Sequence, residues 1–221
     1  MPLTAEKNRR MITMNHEYQP KEKAIYQAVL ALFEEGADIN NITVAEITGR
    51  AGIGKGTAYE YFSGKEEMIA KAFFYNGEMF CRQLYDGVCG ERTLSDKVNY
   101  VLLAMERQMT KTNCVFRLMH MMADNSPVSG WIRRLLQEKK ELGVVPAEDV
   151  IRKVLEDELG GRTVPSEDKM KYLMLSIYSK IFCYGMLLND DKYQQEEQRA
   201  VMRGLVNRGI CREVEEIFAS F

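Results

Sequence analysis

Apolar residues recur along this chain with the period of a helix almost throughout. Ile25, Ala28, Val29, Leu32 and Phe33 fall at i, i+3, i+4, i+7 and i+8, which is one apolar face of a helix. Pro20 suits a first helical turn and Gly36 a helix end, so a helix is predicted over about 20–35. Thr43 and Glu46 have the spacing of a capping box, with Ile42 and Ile47 placed as a hydrophobic staple. A short helix therefore starts at Thr43 and stops at Ala51-Gly52, where glycine supplies a positive φ. Another follows over about 55–62, with Gly54 as its cap and Ala58 and Phe62 inward. Ser63 and Glu66 repeat the capping-box spacing, and a long helix is predicted over 64–88 with Ile69, Phe73, Phe74, Phe80 and Leu84 inward.

The same periodicity predicts helices at about 94–111, 113–123, 127–142, 147–159, 166–189 and 195–219. Breaks fall at Asn125-Ser126-Pro127, Gly143 to Pro146 and Gly160 to Pro165. No repeat or linker interrupts this run. The fold class is all-α: an N-terminal three-helix helix-turn-helix domain followed by a larger helical bundle. The expected division is 1–65, the tail and helix-turn-helix domain, and 66–221, the larger helical domain.

Two short helices joined by a tight turn are a means of placing the second helix in a DNA major groove. Ile53, Ala58 and Phe62 would anchor that helix, leaving Lys55, Thr57, Tyr59 and Tyr61 to face outward. Lys55 and the backbone N–H groups near Gly56 sit where a helix end favours an anion. Gly56 has no side chain, so a base edge or sugar–phosphate strand can come close. Thr57 suits a base edge or a thymine methyl, and the Tyr59 and Tyr61 hydroxyls suit phosphates. Lys65 can hold a further phosphate. Thr43, at the start of the first helix of the pair, completes the DNA-binding candidates. Each taken singly has a plainer reading, as a solvated lysine or a core tyrosine. Their joint spacing is what points to DNA.

Residues from about Pro20 to Ala72 resemble the DNA-binding domain of the tetracycline-repressor (TetR) family. The resemblance lies in Ala28-Val-Leu-Ala-Leu-Phe33, Gly36, Thr43-Val-Ala-Glu-Ile47, Arg50-Ala-Gly-Ile53, Lys55-Gly-Thr57, Tyr59, Tyr61-Phe62 and Lys65-Glu66. It implies that Lys55, Gly56, Thr57, Tyr59, Tyr61 and Lys65 contact double-stranded DNA. It further implies an all-helical homodimer with an effector pocket in the C-terminal domain. Three departures from the family pattern stand out: Gly54 replaces a usual Ser, Thr48-Gly49 replaces Ala and a longer residue, and Glu60 puts a carboxylate on the recognition helix.

Charge changes the picture little. The 221 residues carry a formal net charge of −2. Within 1–65 the cations at 7, 9, 10, 21, 23, 50, 55 and 65 are matched by acids at 6, 17, 22, 34, 35, 38, 46 and 60. The case for DNA therefore rests on placement, and bulk attraction to phosphates is expected to be modest. Lys7, Arg9 and Arg10 admit two readings, a minor-groove arm or a plain tail. The five Cys form no C-x-x-C pair and the two His cannot build a His-rich metal site, so no metal and no cofactor is expected. Without an apolar leader or an 18-residue apolar run, the chain reads as a cytoplasmic protein away from membranes.

Eleven of the 14 Met lie after residue 65, mixed with aromatic residues. Such a mixture fits either an ordinary packed core or an adaptable apolar pocket. The family resemblance favours a pocket for a small hydrophobic effector, with Tyr100, Met105, Met109, Phe116, Met119, His120, Tyr178 and Phe182 as candidate liners. For His120 a satisfied core position competes with a ligand contact, and for Glu106 a solvated face competes with a counter-charge to a cationic ligand. The segment 166–189 is apolar nearly all round, through Leu173, Met174, Ile177, Tyr178, Ile181, Phe182 and Met186, and with 195–219 it is the expected dimer face. The functional reading is a transcriptional regulator, a repressor that an effector releases from a palindromic operator. The alternative is a DNA-binding architectural or adaptor protein without an inducer. Enzyme signatures such as G-x-S-x-G, H-E-x-x-H or a P-loop are missing, so no catalysis is expected.

Overall fold

The computed structural model describes residues 18–38, 41–111, 127–141, 146–160, 165–188, 190, 193 and 195–219. The described residues form nine helices and no strand. They are α1 (Pro20–Glu34), α2 (Val44–Ala51), α3 (Lys55–Tyr61), α4 (Lys65–Gly90), α5 (Leu94–Lys111), α6 (Pro127–Glu141), α7 (Pro146–Leu159), α8 (Glu167–Leu187) and α9 (Glu196–Ala219). The all-α class and the helix-turn-helix followed by a helical bundle stand as expected. The helix expected at 113–123, the basic tail residues Lys7, Arg9 and Arg10, and the candidate liners Phe116, Met119 and His120 lie outside the described residues.

The chain divides into two compact units. Described residues 18–79 and 127–141 belong to the first, and 80–111 and 146–219 to the second. The division falls inside α4, whereas the sequence expectation set it at 65/66.

In the first unit the core is built largely from the predicted faces, with Leu32 and Phe74 half-buried and Met68 and Ala72 added. Ile25, Ala28, Val29 and Phe33 of α1, Ile47 of α2, Ala58 of α3 and Met68, Ile69, Ala72 and Phe73 of α4 are all buried. Each large apolar side chain so enclosed contributes about 1.5–3 kcal/mol. Tyr26, which lies off the predicted α1 face, is also fully buried. Its ring packs against Tyr18, Phe62 and Tyr75 at centroid distances of 5.6, 5.8 and 5.3 Å. Burial and the nearby carboxylates of Glu22, Glu67 and Glu78 raise its hydroxyl pKa well above the ordinary tyrosine value. Tyr18 donates a hydrogen bond to the buried carboxylate of Glu78, which ties the residues before α1 to α4. In α6, Val128 and Ile132 are buried and Arg134 lies 4.7 Å from the centroid of the Trp131 ring.

In the second unit α4, α5, α7, α8 and α9 share one core that includes Leu84, Leu102, Leu155, Leu173, Ile177 and Ile210. Three polar groups are enclosed with it, each with partners. Glu106 accepts from the Tyr184 hydroxyl and from Arg203, at 2.5 Å in the latter case, with Arg199 at 3.8 Å. This corrects the solvated reading of Glu106: it is buried because two arginines from α9 and a tyrosine from α8 satisfy it. Lys97 is buried on Asp157 at 3.0 Å and Glu158 at 3.9 Å. Asn207 donates to the Ser95 carbonyl at 2.8 Å. Gly87 of α4 has a specific packing role, because a Cβ there would lie 2.0 Å from the ring of Tyr100 on α5.

Candidate nucleic-acid interface

The capping box at α2 forms as its spacing predicts. The Glu46 carboxylate accepts from both the Thr43 N–H and the Thr43 hydroxyl at 2.7 Å, and the Glu46 N–H donates to Thr43 Oγ1 at 3.2 Å. The bonds from Thr43 hold the Glu46 carboxyl below the usual carboxylate range. Thr43 is thus placed as a cap at the exposed start of α2, with its hydroxyl already engaged. Thr48 Oγ1 turns back to the Val44 carbonyl at 2.8 Å, so its polarity is satisfied although the residue is buried. The helix runs through Gly49 without a break. It ends at Gly52, whose φ of +65° is the left-handed geometry glycine favours, and the Ile53 N–H then closes on the Thr48 carbonyl at 3.0 Å.

The chain turns through Gly54 into α3, which is only Lys55–Tyr61. Ala58 and the following Phe62 are buried, at 1% and 2% exposure, and seat the helix on the core. The surface away from them carries Lys55, Gly56, Tyr59 and Glu60, all exposed, with Tyr59 at 54%. Thr57 and Tyr61 are half-buried at its sides. Lys65 is half-buried at the first turn of α4.

The turn after α3 departs in detail from the sequence reading. Glu67, not Glu66, accepts from the Ser63 N–H at 2.7 Å and from the Ser63 hydroxyl at 2.6 Å. The reason is register: α4 starts at Lys65 after Gly64, so the third helical position falls on Glu67. Glu67 also pairs with Lys71 at 2.7 Å, and Lys71 lies 5.4 Å from the centroid of the Phe62 ring. Burial pushes the Glu67 carboxyl up, but the bonds from Lys71 and Ser63 outweigh it and hold the carboxyl below the usual range. This small network pins the C-terminal end of α3. A second tie, overlooked in the sequence, is the two-pronged contact of Arg50 on α2 with Glu35 after α1, with Arg50 Nη1 at 3.0 Å. Both groups are exposed, so it orients more than it stabilises.

The candidate effector liners are less gathered. Met105 is buried in the second unit's core, and Tyr100 and Tyr178 are half-buried against it. Met109 lies on α5. Phe182 is 41% exposed on α8. A cleft of 190 Å³ opens at Leu94, Glu158, Val214, Glu215, Phe218 and Ala219, and no candidate liner borders it. Among the described residues no three His, Cys, Asp or Glu side chains are grouped to hold a metal ion.

Residues 25–72 match the bacterial regulatory proteins of the tetR family. The N-terminal segment is a tetR-family domain. None of the curated proteins matches the sequence. Solved structures share the fold over most of the chain beyond the tetR segment. The transcriptional regulator FadR from Bacillus subtilis, in complex with stearoyl-CoA, is 14% identical with a TM-score of 0.60, covering 87% of this chain and 97% of its own. A tetR-family transcriptional regulator from Streptomyces coelicolor is 15% identical with a TM-score of 0.57, covering 90% and 88%. RolR in complex with resorcinol is 15% identical with a TM-score of 0.55, covering 90% and 92%. At these identities the likeness establishes the shared architecture. The tetR match itself ends at residue 72 and so covers both short helices and the start of α4.

Proposed function

We propose that this chain is a DNA-binding transcriptional regulator, acting in the cytoplasm as a homodimeric repressor that a small hydrophobic effector releases from a palindromic operator. The observation that carries this reading is the outward surface of α3. Lys55, Gly56 and Tyr59 stand exposed on a helix whose Ala58 and Phe62 are locked into the core. A basic group, a gap and an aromatic hydroxyl in that order suit a sugar–phosphate strand and the base edges beside it. Thr57, Tyr61 and Lys65 flank them, and Thr43 caps the supporting helix. Residues 1–65 would carry DNA binding, and 66–221 the effector and the dimer contact.

The dimer half rests on α8 and α9. Tyr172, Leu175, Phe182 and Met186 fall at i, i+3, i+10 and i+14 on α8, and are exposed together with Val201 and Leu205 of α9. The opposite stripe of α8, with Leu173, Met174, Ile177 and Tyr184, faces the unit's own core. Apolar residues aligned in this way favour a second copy as cover. A two-fold pair would present two α3 helices to successive major grooves, ~34–36 Å apart.

The effector half rests on likeness. FadR is seen with stearoyl-CoA and RolR with resorcinol, one an acyl thioester and the other a small phenol. Tyr100, Met105, Met109, Phe116, Met119, His120, Tyr178 and Phe182 remain the candidate contacts here. Ligand would favour a state with the two heads out of register, with a coupling of ~1–3 kcal/mol. The reading of an adaptor without inducer draws on Tyr100 being packed onto Gly87. Titrating stearoyl-CoA and resorcinol into the DNA complex separates the two. Effector control predicts that one such compound lowers DNA affinity at least fivefold while the sedimentation coefficient stays that of a dimer. No response to either compound, or to a panel of related acyl thioesters and phenols, would favour the adaptor.

A further inference from the structure

Glu60 is exposed in the middle of the surface that would meet DNA, and among the described residues it makes no hydrogen bond or ion pair. Its outward position on α3 follows from the burial of Ala58 and Phe62 on the other side, and Gly56 lies close to it. Gly56 and Glu60 are four apart, so they lie one above the other on the same edge of the helix. Gly56 is not required by the fold: a Cβ placed there would meet nothing within 4 Å, and its φ is not in the left-handed region. The surface at Gly56 is therefore open to close approach from outside the chain. Whatever approaches Gly56 closely also comes within reach of the Glu60 side chain.

A carboxylate in that place is repelled by phosphates, and at neutral pH it can only accept hydrogen bonds. In the major groove two base groups donate, the N4 amino group of cytosine and the N6 amino group of adenine. Adenine presents its N7 acceptor beside the amino group, which opposes the second carboxylate oxygen. Cytosine presents only a C–H edge beside its own. The chemistry thus separates the two donors.

Resting on the assignment of α3 as a major-groove helix, we propose that Glu60 is a specificity-determining residue that accepts from the N4 amino group of a cytosine, once in each half-site. The like-charge repulsion it brings also lowers affinity for duplexes lacking that cytosine. Specificity here comes partly from a contact and partly from a penalty on wrong sequences.

The test is a competition series on the full-length protein. A duplex enriched from a random pool by the wild-type chain is varied one base pair at a time, and binding of wild type, Glu60→Gln and Glu60→Ala is measured by fluorescence anisotropy. Circular dichroism confirms that the variants are folded. Wild type is expected to prefer cytosine at one position per half-site by about tenfold. Glu60→Ala should reduce that preference to within twofold and leave other positions alone. Glu60→Gln should move it toward adenine, whose N6 and N7 suit an amide. The inference is overturned if Glu60→Ala keeps every base preference, whether affinity is unchanged or rises by one common factor for all duplexes. If wild type enriches no duplex at all, the α3 assignment fails first and takes this inference with it.

Discussion

Tyr59 leaves more than half of its surface to solvent one residue away from a fully buried Ala58. A tyrosine that only packed would not sit so far out on a seven-residue helix whose inner side is already filled. Its removal should accordingly cost binding and not folding. Tyr59→Ala and Lys55→Ala are each expected to weaken binding to an enriched duplex by more than tenfold, with melting temperature within a few degrees of wild type. Anisotropy titrations and thermal denaturation on the same preparations check both halves. Much of this surface was legible in the sequence, because Ala58 and Phe62 fix the inward face and so define the outward one. Tyr26 and Glu67 were not legible. Tyr26 lies beside the periodic face and is drawn in by three aromatic rings contributed from distant positions. Glu67 takes the role expected of Glu66 because the helix begins one residue later than the capping pattern suggested.

At the scale of the helices, two contacts in the second unit make opposing demands on sequence. Gly87 has room for no side chain while Tyr100 keeps its place. Gly87→Ala should destabilise the protein by about 1–3 kcal/mol, the ordinary cost of overpacking. In a Tyr100→Ala background the same change should be neutral or stabilising by up to ~1 kcal/mol, since alanine is the better helix former. Urea denaturation of the four proteins in this cycle measures the reversal of sign, and additive effects would contradict it. Glu106 joins α5 to α8 and α9 through Tyr184 and Arg203. Glu106→Ala leaves the two arginines with less compensation in a largely enclosed place and should cost about 3–5 kcal/mol. The helices that meet here were legible in the sequence, α5 through its apolar period and α8 as a segment apolar nearly all round. Which polar residue would be enclosed among them was not, because Glu106 differs from a solvated glutamate only through partners on two remote helices.

For the molecule as a whole, acid should be destabilising. Burial pushes up the Glu67, Asp157 and Glu213 carboxyls, but their lysine partners, with serine hydroxyls at Glu67 and Glu213, outweigh it and hold them below the usual carboxylate range. A carboxyl lowered on folding lends stability above its unfolded value, and that contribution is lost as pH falls through the folded value. The urea midpoint should therefore be flat near neutrality and drop as pH falls through ~4 and below. The exposed apolar rows of α8 and α9 make a separate demand. Leu175→Glu combined with Val201→Glu should yield a folded monomer in sedimentation velocity, with affinity for a two-fold duplex falling at least tenfold. The proposed dimer face was visible in the sequence only as a helix apolar nearly all round, and the fold shows which stripe its own core leaves uncovered.

The central claim is that α3 lies in the major groove as one half of a symmetrical pair, and methylation interference on an enriched duplex tests it most directly. Dimethyl sulfate modifies guanine N7 in the major groove and adenine N3 in the minor groove. The account predicts interference from guanine N7 in two clusters, related by a two-fold axis and about 10 base pairs apart on one face of the duplex. Interference confined to adenine N3, or a single unpaired cluster, would contradict it.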